Sequence, residues 1–195
     1  MEEIIALLRE SGAMLEGHFL LSSGRHSDRY FQCARLLQYP DRAAAALKPV
    51  ADRIREDLAA GKLVIDAIAG PAMGGIIVAY ELGRQLGLPA FFTERDEGGR
   101  MSLRRGFAVE EGSSVLIAED VVTTGKSSGE SAVVLEGLGA RIAALACLVD
   151  RRAPGTPLTR PLYAACTVAV SDWDAPGCRL CAQGLPLVKP GSRKF

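Results

Sequence analysis

The chain has 195 residues, with 23 basic and 23 acidic side chains, so its formal net charge is zero; 48% of its residues are apolar. This size and composition suit one globular domain, able to bury roughly 70% of the surface its unfolded form exposes, and the neutral balance argues against long-range attraction to nucleic acid or anionic lipid. The longest wholly apolar run, Ile142 to Val149, has eight residues, far short of the ~20 that a membrane-spanning helix needs. Met1-Glu2-Glu3 lacks the basic start of a secretory signal. Five cysteines, an odd number, include Cys147 and Cys166 inside apolar segments. They read as buried thiols of a reducing compartment, so the cytoplasm is the expected location. Of the 23 basic residues, 18 are arginine.

In chain order, Glu2 to Ser11 reads as a short amphipathic helix with Ile4, Ile5, Leu7 and Leu8 on its apolar side. Residues 18–22 and 29–33 read as strands around the turn Ser23-Gly24-Arg25-His26. Asp41 is the expected N-cap of a long helix reaching Ala60, with Gly61 as its stop. A regular alternation follows: strand Leu63 to Ala69, helix Gly74 to Leu86 ended by Gly87, and strand Pro89 to Thr93. A polar stretch, Glu94 to Ser102, precedes a further strand over Leu103 to Val109. Strand Ser114 to Glu119, a loop, helix Lys126 to Leu138, strand Arg141 to Val149 and strand Leu162 to Val170 complete the pattern. Strands alternating with helices at this spacing predict an α/β fold with a mainly parallel sheet. Ligands of such sheets bind beyond the carboxyl ends of the strands, which directs attention to the loops at 70–75, 94–102, 119–126 and 150–155.

The segment Val115-Leu116-Ile117-Ala118-Glu119-Asp120-Val121-Val122-Thr123-Thr124-Gly125-Lys126-Ser127-Ser128 carries the most chemistry. A buried-type strand ends in two carboxylates, and a Thr/Gly loop then opens a helix. Such a loop presents free N–H groups and a positive dipole end to a phosphate. The adjacent carboxylates can hold ribose hydroxyls, directly or through Mg²⁺. Gly125-Lys126-Ser127 imitates half of a P-loop, but the position five residues earlier is Asp120, where that motif needs glycine.

The whole string resembles the PRPP-binding motif of the type I phosphoribosyltransferases, where PRPP is 5-phosphoribosyl 1-diphosphate. The resemblance implies a single domain over residues 1–195. Its mainly parallel twisted sheet is flanked by helices, and residues 1–40 with the C-terminal segment form a hood over the base site. By the same resemblance Glu119 and Asp120 hold the ribose hydroxyls, while the loop Val122, Thr123, Thr124, Gly125, Lys126 and Ser127 cradles the 5′-phosphate and Val121 also belongs to the PRPP site.

Three further segments resemble the orotate phosphoribosyltransferases. Ser22-Ser23-Gly24-Arg25-His26-Ser27, followed by Tyr30 and Phe31, looks like the segment that closes over the pyrimidine; Ser22, Arg25 and both aromatics would contact the base. Arg151, after the strand Arg141 to Val149, stands where that family binds the orotate carboxylate, which suits a guanidinium fork; Thr123 matches a second orotate contact. Gly70-Pro71-Ala72-Met73-Gly74-Gly75 resembles the pyrophosphate loop, which assigns Ala72, Met73 and Gly74 to PRPP. Residues 93–105 match a mobile catalytic loop that in other members carries lysines and a histidine and enters the neighbouring subunit's site. Here its basic residues are arginines: Arg95 is expected at the loop base and Arg100 at the tip. The implied reaction is Mg²⁺-dependent transfer of phosphoribosyl from PRPP to orotate by a homodimer, with Mg²⁺ held mainly by PRPP and not by a direct protein ligand. A purine phosphoribosyltransferase would share the PRPP string but need neither Arg151 nor the Ser23-Gly24-Arg25 segment. A PRPP-binding regulator should show a basic surface or an added DNA-binding helix pair.

Cys178-Arg179-Leu180-Cys181 is a CxxC whose flanks read as turns. A structural zinc site needs four ligands. No second cysteine pair exists, and His18 and His26 are distant in sequence. The reading therefore favours a structural or incidental role over a metal shared across a dimer or a redox role.

Overall fold

The computed structural model describes residues 1–21, 23–153 and 155–190. A short helix, α1 (Glu2–Glu10), leads into a hairpin of β1 (Met14–Leu20) and β2 (His26–Phe31). Two helices follow, α2 (Ala34–Leu37) and α3 (Pro40–Ala59), and then β3 (Ala67–Pro71), α4 (Gly74–Leu86), β4 (Ala90–Arg95) and β5 (Met101–Leu103). The second half runs β6 (Ser114–Val122), α5 (Lys126–Gly137), β7 (Arg141–Asp150), β8 (Leu162–Thr167), β9 (Asp172–Trp173) and α6 (Arg179–Ala182).

Six strands form one sheet in the order β5-β4-β3-β6-β7-β8. All its pairings are parallel except that of β4 with β5. From β3 the chain steps outward to β4, whereas β6 continues the other way to β7 and β8. The direction of winding thus reverses between β3 and β6, and a crevice opens at their carboxyl ends. Helices α1, α3 and α4 cover one face around Leu47, Val50, Ile54, Leu82, Leu116 and Leu148. The other face packs Leu135 of α5 with Phe91, Val115, Ile117 and Ile142. Strand β6 lies centrally and its apolar residues are buried on both faces, which is why it reads as a continuous apolar run. A separate sheet, β1-β2-β9, joins the hairpin to the region that follows β8.

The expected alternation of strands and helices holds, with local corrections. The N-cap of α3 is Tyr39, not Asp41, because Pro40 occupies the first turn with its φ already helical. Asp41 lies inside that turn, where its charge still favours the helix dipole. Strand β3 starts at Ala67, because pairing with β6 begins at Ala67↔Val115. Just before it, Asp66 clips the two strands by accepting the Ser114 N–H at 2.7 Å. No strand fills residues 104–109: Arg105 (φ 60°) and Gly106 (φ 75°) turn left-handed and end β5 after three residues. The hairpin strands sit earlier than expected, which places His26 in β2 and not in the turn. Among the described residues no helix is long and apolar enough to cross a membrane.

Leu116 is fully buried at the centre of the sheet. Leu116→Ala is expected to remove about 2–5 kcal/mol of stability. Urea unfolding should show a lower midpoint with an unchanged slope; a loss under ~1 kcal/mol would contradict this placement.

Candidate active site

Two loops meet at the winding reversal. The first joins β3 to α4. A Cβ on Gly75 would stand 2.6 Å from the Ala118 carbonyl oxygen, and one on Gly74 would run into the Asp120 carboxylate. Gly70 is equally constrained, since a Cβ there would strike the Gly75 backbone. These glycines let the loop lie directly against β6. The Ala72–Met73 peptide is cis. Helix α4 starts here without a side-chain cap, leaving its first N–H groups open. Met73 is 78% exposed, so it does not serve as packing.

The second loop joins β6 to α5. Val121 and Val122 belong to β6 and pair with β7, so the loop is Thr123 to Gly125, shorter than the 122–127 span expected. Gly125 is the N-cap of α5 in left-handed conformation (φ 73°) and has no side chain to cap the helix itself. Thr124 Oγ1 accepts from the Lys126 N–H at 3.3 Å. The N-termini of α4 and α5 face the same crevice, each a favourable place for an anion.

Glu119 and Asp120 stand between them. Glu119 is buried, and its Oε1 accepts a 2.6 Å hydrogen bond from Ser128 Oγ in the first turn of α5. Burial, with the neighbouring Asp120 charge adding to it, pushes the Glu119 carboxyl up to about 7 against the hydrogen bonds from Ser128. Burial also raises Asp120, whose Oδ1 accepts the Val121 N–H at 2.8 Å. Ser128 was not among the expected site residues, although it closes the same sequence string. Its role follows from the turn of α5 that folds it back onto β6.

Thr123, Thr124, Arg151, Val170 and Asp172 line a cleft of about 160 Å³ beside this loop. The Arg151 N–H donates to the Val122 carbonyl at 2.9 Å, which fixes its backbone at the end of β7. Asp150, by contrast, is clamped by Arg152 at 2.8 Å. The Arg151 side chain lies 6.0 Å over the Phe31 ring, and its buried Nε has no hydrogen-bond partner among the described residues. Burial lowers the Arg151 pKa, with Asp172, Asp28 and Tyr30 opposing the shift.

The other expected base contacts are distributed differently. Tyr30 and Phe31 are adjacent in a strand, so they point to opposite faces and cannot pack on a base as a pair. Phe31 is in the core beneath Arg151, while Tyr30 packs on Phe19 with ring centroids 5.9 Å apart. Arg25 is held by Asp172 at 2.8 Å and Asp174 at 2.6 Å, tying the hairpin to β9 and the turn after it. Ser22 lies outside the described residues. On the β4–β5 hairpin, Arg95 donates to the Gly99 carbonyl at 2.7 Å and pairs with Glu130 of α5. Arg100 is at the tip, its side chain 85% exposed and its only ion pair, among the described residues, the 3.1 Å contact to Asp96. Lys126 is exposed, with Glu130 3.9 Å away, and Ser127 is half-buried.

A family model described as "Phosphoribosyl transferase domain" matches residues 36–174. A curated relative, the orotate phosphoribosyltransferase of Desulforamulus reducens, is 46% identical over 194 residues, covering 100% of this chain and 98% of the relative. The crystal structure of orotate phosphoribosyltransferase from Aeropyrum pernix superposes with a TM-score of 0.67 at 28% identity, over 85% of this chain and 93% of that one. The UMP synthase of Leishmania donovani shares the fold alone, with a TM-score of 0.71 at 23% identity over 85% of this chain and 36% of its own. By its winding, its glycine-lined crevice and these matches, the chain belongs to the phosphoribosyltransferase family, among the orotate phosphoribosyltransferases.

Proposed function

We propose that the chain transfers the 5-phosphoribosyl group of PRPP to orotate, giving orotidine 5′-monophosphate and diphosphate. The observation that carries the choice of base is Arg151, a guanidinium with a buried, unpartnered Nε in a cleft next to the acid pair. A buried polar group without a partner is costly, and the carboxylate of an anionic pyrimidine supplies the partner it lacks. Thr123 and Thr124 offer hydroxyls at the same cleft.

PRPP presents one anion at each end, and the crevice offers one helix N-terminus at each side. In this reading the 5′-phosphate takes the Thr123–Ser127 turn at α5, and the diphosphate takes the Ala72–Gly74 turn at α4. Glu119 and Asp120 then receive the ribose hydroxyls between them. A transition state of oxocarbenium character places positive charge on the ribose, which these two carboxylates stabilise. The Asp120 carboxylate against the diphosphate loop is a hard oxygen donor suited to Mg²⁺ carried in by the substrate. Mg²⁺ bound there would neutralise charge on the leaving diphosphate. Arg100, exposed at the tip of its hairpin, is available to a neighbouring subunit's site. Met73, Ile77 and Tyr80 form an exposed apolar stripe along α4, with the spacing of one helix face, and support a homodimer with hairpin exchange. Such an enzyme acts in the cytoplasm on these small molecules.

Incubation with PRPP and Mg²⁺ should consume orotate and leave adenine, hypoxanthine and xanthine untouched. Arg151→Ala should raise the orotate KM roughly 10- to 100-fold, the weight of a charge-assisted hydrogen bond, with little change in the PRPP KM. Turnover of purines only, nucleic-acid binding without turnover, or equal effects of Arg151→Ala on both KM values would contradict the reading.

Glu119 supplies a pH test. Its carboxyl holds its proton below about pH 7 in the free protein, whereas accepting two ribose hydroxyls favours the ionised form. PRPP affinity should therefore rise as pH increases through that region, by at most about tenfold per unit below it. Glu119→Gln removes this component and leaves only the titration of the substrate's own phosphates. Identical pH slopes for both proteins would contradict the assignment.

A further inference from the structure

Outside the crevice, the fold assembles four residues that the sequence keeps far apart. His18 of β1, His26 of β2, Cys178 and Cys181 bring their ligand atoms within 4.8 Å of one another. His18 Nε2 lies 3.0 Å from His26 Nδ1 and 3.4 Å from Cys178 Sγ. Cys181 Sγ lies 3.3 Å from His26 Nδ1 and 3.7 Å from His18 Nε2. A tetrahedral zinc with ordinary bond lengths sets edges of about 3.3 Å between two nitrogens and about 3.6 Å between nitrogen and sulfur. His18, His26 and Cys178 are each under 7% exposed.

The ligand set is also oriented. His18 Nδ1 donates to the Leu185 carbonyl at 2.8 Å, which leaves Nε2 with its lone pair directed at the cluster. Cys178 is the N-cap of α6 and Cys181 follows one turn later, so the two sulfurs lie on one side of the turn. Among the described residues after Asp174, Cys178 is the only buried one; Leu185, Leu187 and Val188 are exposed. A four-residue helix with no apolar core of its own does not persist by hydrogen bonding alone. Among the described residues, the backbone-to-backbone hydrogen bonds that attach this segment to the hairpin are Val188 N–H to His18 O and Leu20 N–H to Val188 O, both 2.8 Å. All four residues lie outside the span 36–174 matched by the family model.

We propose that His18, His26, Cys178 and Cys181 form a structural zinc site that fastens the C-terminal segment to the β1–β2 hairpin. Two sulfurs and two nitrogens in a closed tetrahedron select zinc among abundant divalent ions. On binding, both thiols lose their protons to solvent, so the metal and its two thiolates form a neutral unit with two neutral imidazoles, with Cys181 on its exposed side. None of the four residues has a part in the proposed reaction, so the site's existence stands apart from it.

The test uses the untagged, reduced full chain. Elemental analysis should find one zinc per chain, and exchange with Co²⁺ should give tetrahedral d–d bands with thiolate charge transfer. Cys181→Ser should lose the metal. Chelation should speed tryptic cleavage after Arg179 at least tenfold, with zinc restoring protection. Less than stoichiometric metal after incubation with Zn²⁺ would overturn the site. So would a Cys178–Cys181 disulfide in the isolated protein, a cobalt spectrum without thiolate bands, or cleavage indifferent to metal. The wild-type cobalt spectrum decides the matter even if the variant fails to fold.

Discussion

At the reversal of winding, the backbone between β3 and α4 lies so close to β6 that no side chain fits between them. Gly75 abuts the Ala118 carbonyl and Gly74 abuts the Asp120 carboxylate. This close approach sets the geometry of everything around it. It brings the N-terminus of α4 to the end of β6, where α5 also begins. It encloses Glu119 and Asp120, which explains why both carboxyls are harder to ionise than usual. A residue with a Cβ at either position would separate the two helix ends and open the acid pair to water.

The charge balance acquires a structural meaning. Most arginines near the crevice are already matched: Arg25 with Asp172 and Asp174, Arg95 with Glu130, Arg105 with Glu94, Arg152 with Asp150. These pairs are largely exposed and contribute little stability individually. They orient loops, and they leave Arg151 as the guanidinium with an unmet buried N–H. In the proposed reaction the neutral total conceals one local cation, Arg151, whose partner is the orotate carboxylate. The abundance of arginine over lysine sharpens into a question about Arg151 and about Arg100, whose one ion pair among the described residues is to Asp96.

Much of this was legible in the sequence where neighbours in the chain are neighbours in space. The run from Val115 to Ser128 contains a strand, its terminal acids, the anion loop and the helix start in order, so local chemistry identified it. Gly87, left-handed at φ 71°, ended α4 where expected for the same reason. Features created by tertiary packing were not legible. His18 and His26 are remote from the CxxC in the chain, and only the β1-β2-β9 sheet and the return of the C-terminal segment bring them together. Tyr30 and Phe31 were read as a pair, although the two-residue period of a strand already separates them. Ser128 needed the helix built before its reach to Glu119 was evident.

In the proposed reaction the N-termini of α4 and α5 and a buried acid pair hold PRPP, with Arg151 receiving orotate. A crystal structure with PRPP, Mg²⁺ and orotate tests it most directly. The account predicts the 5′-phosphate on the N-terminus of α5 and the diphosphate on that of α4. It predicts ribose hydroxyls on Glu119 and Asp120, and the orotate carboxylate on Arg151. Phosphates bound away from these helix ends, or a carboxylate that leaves Arg151 Nε without a partner, would contradict it.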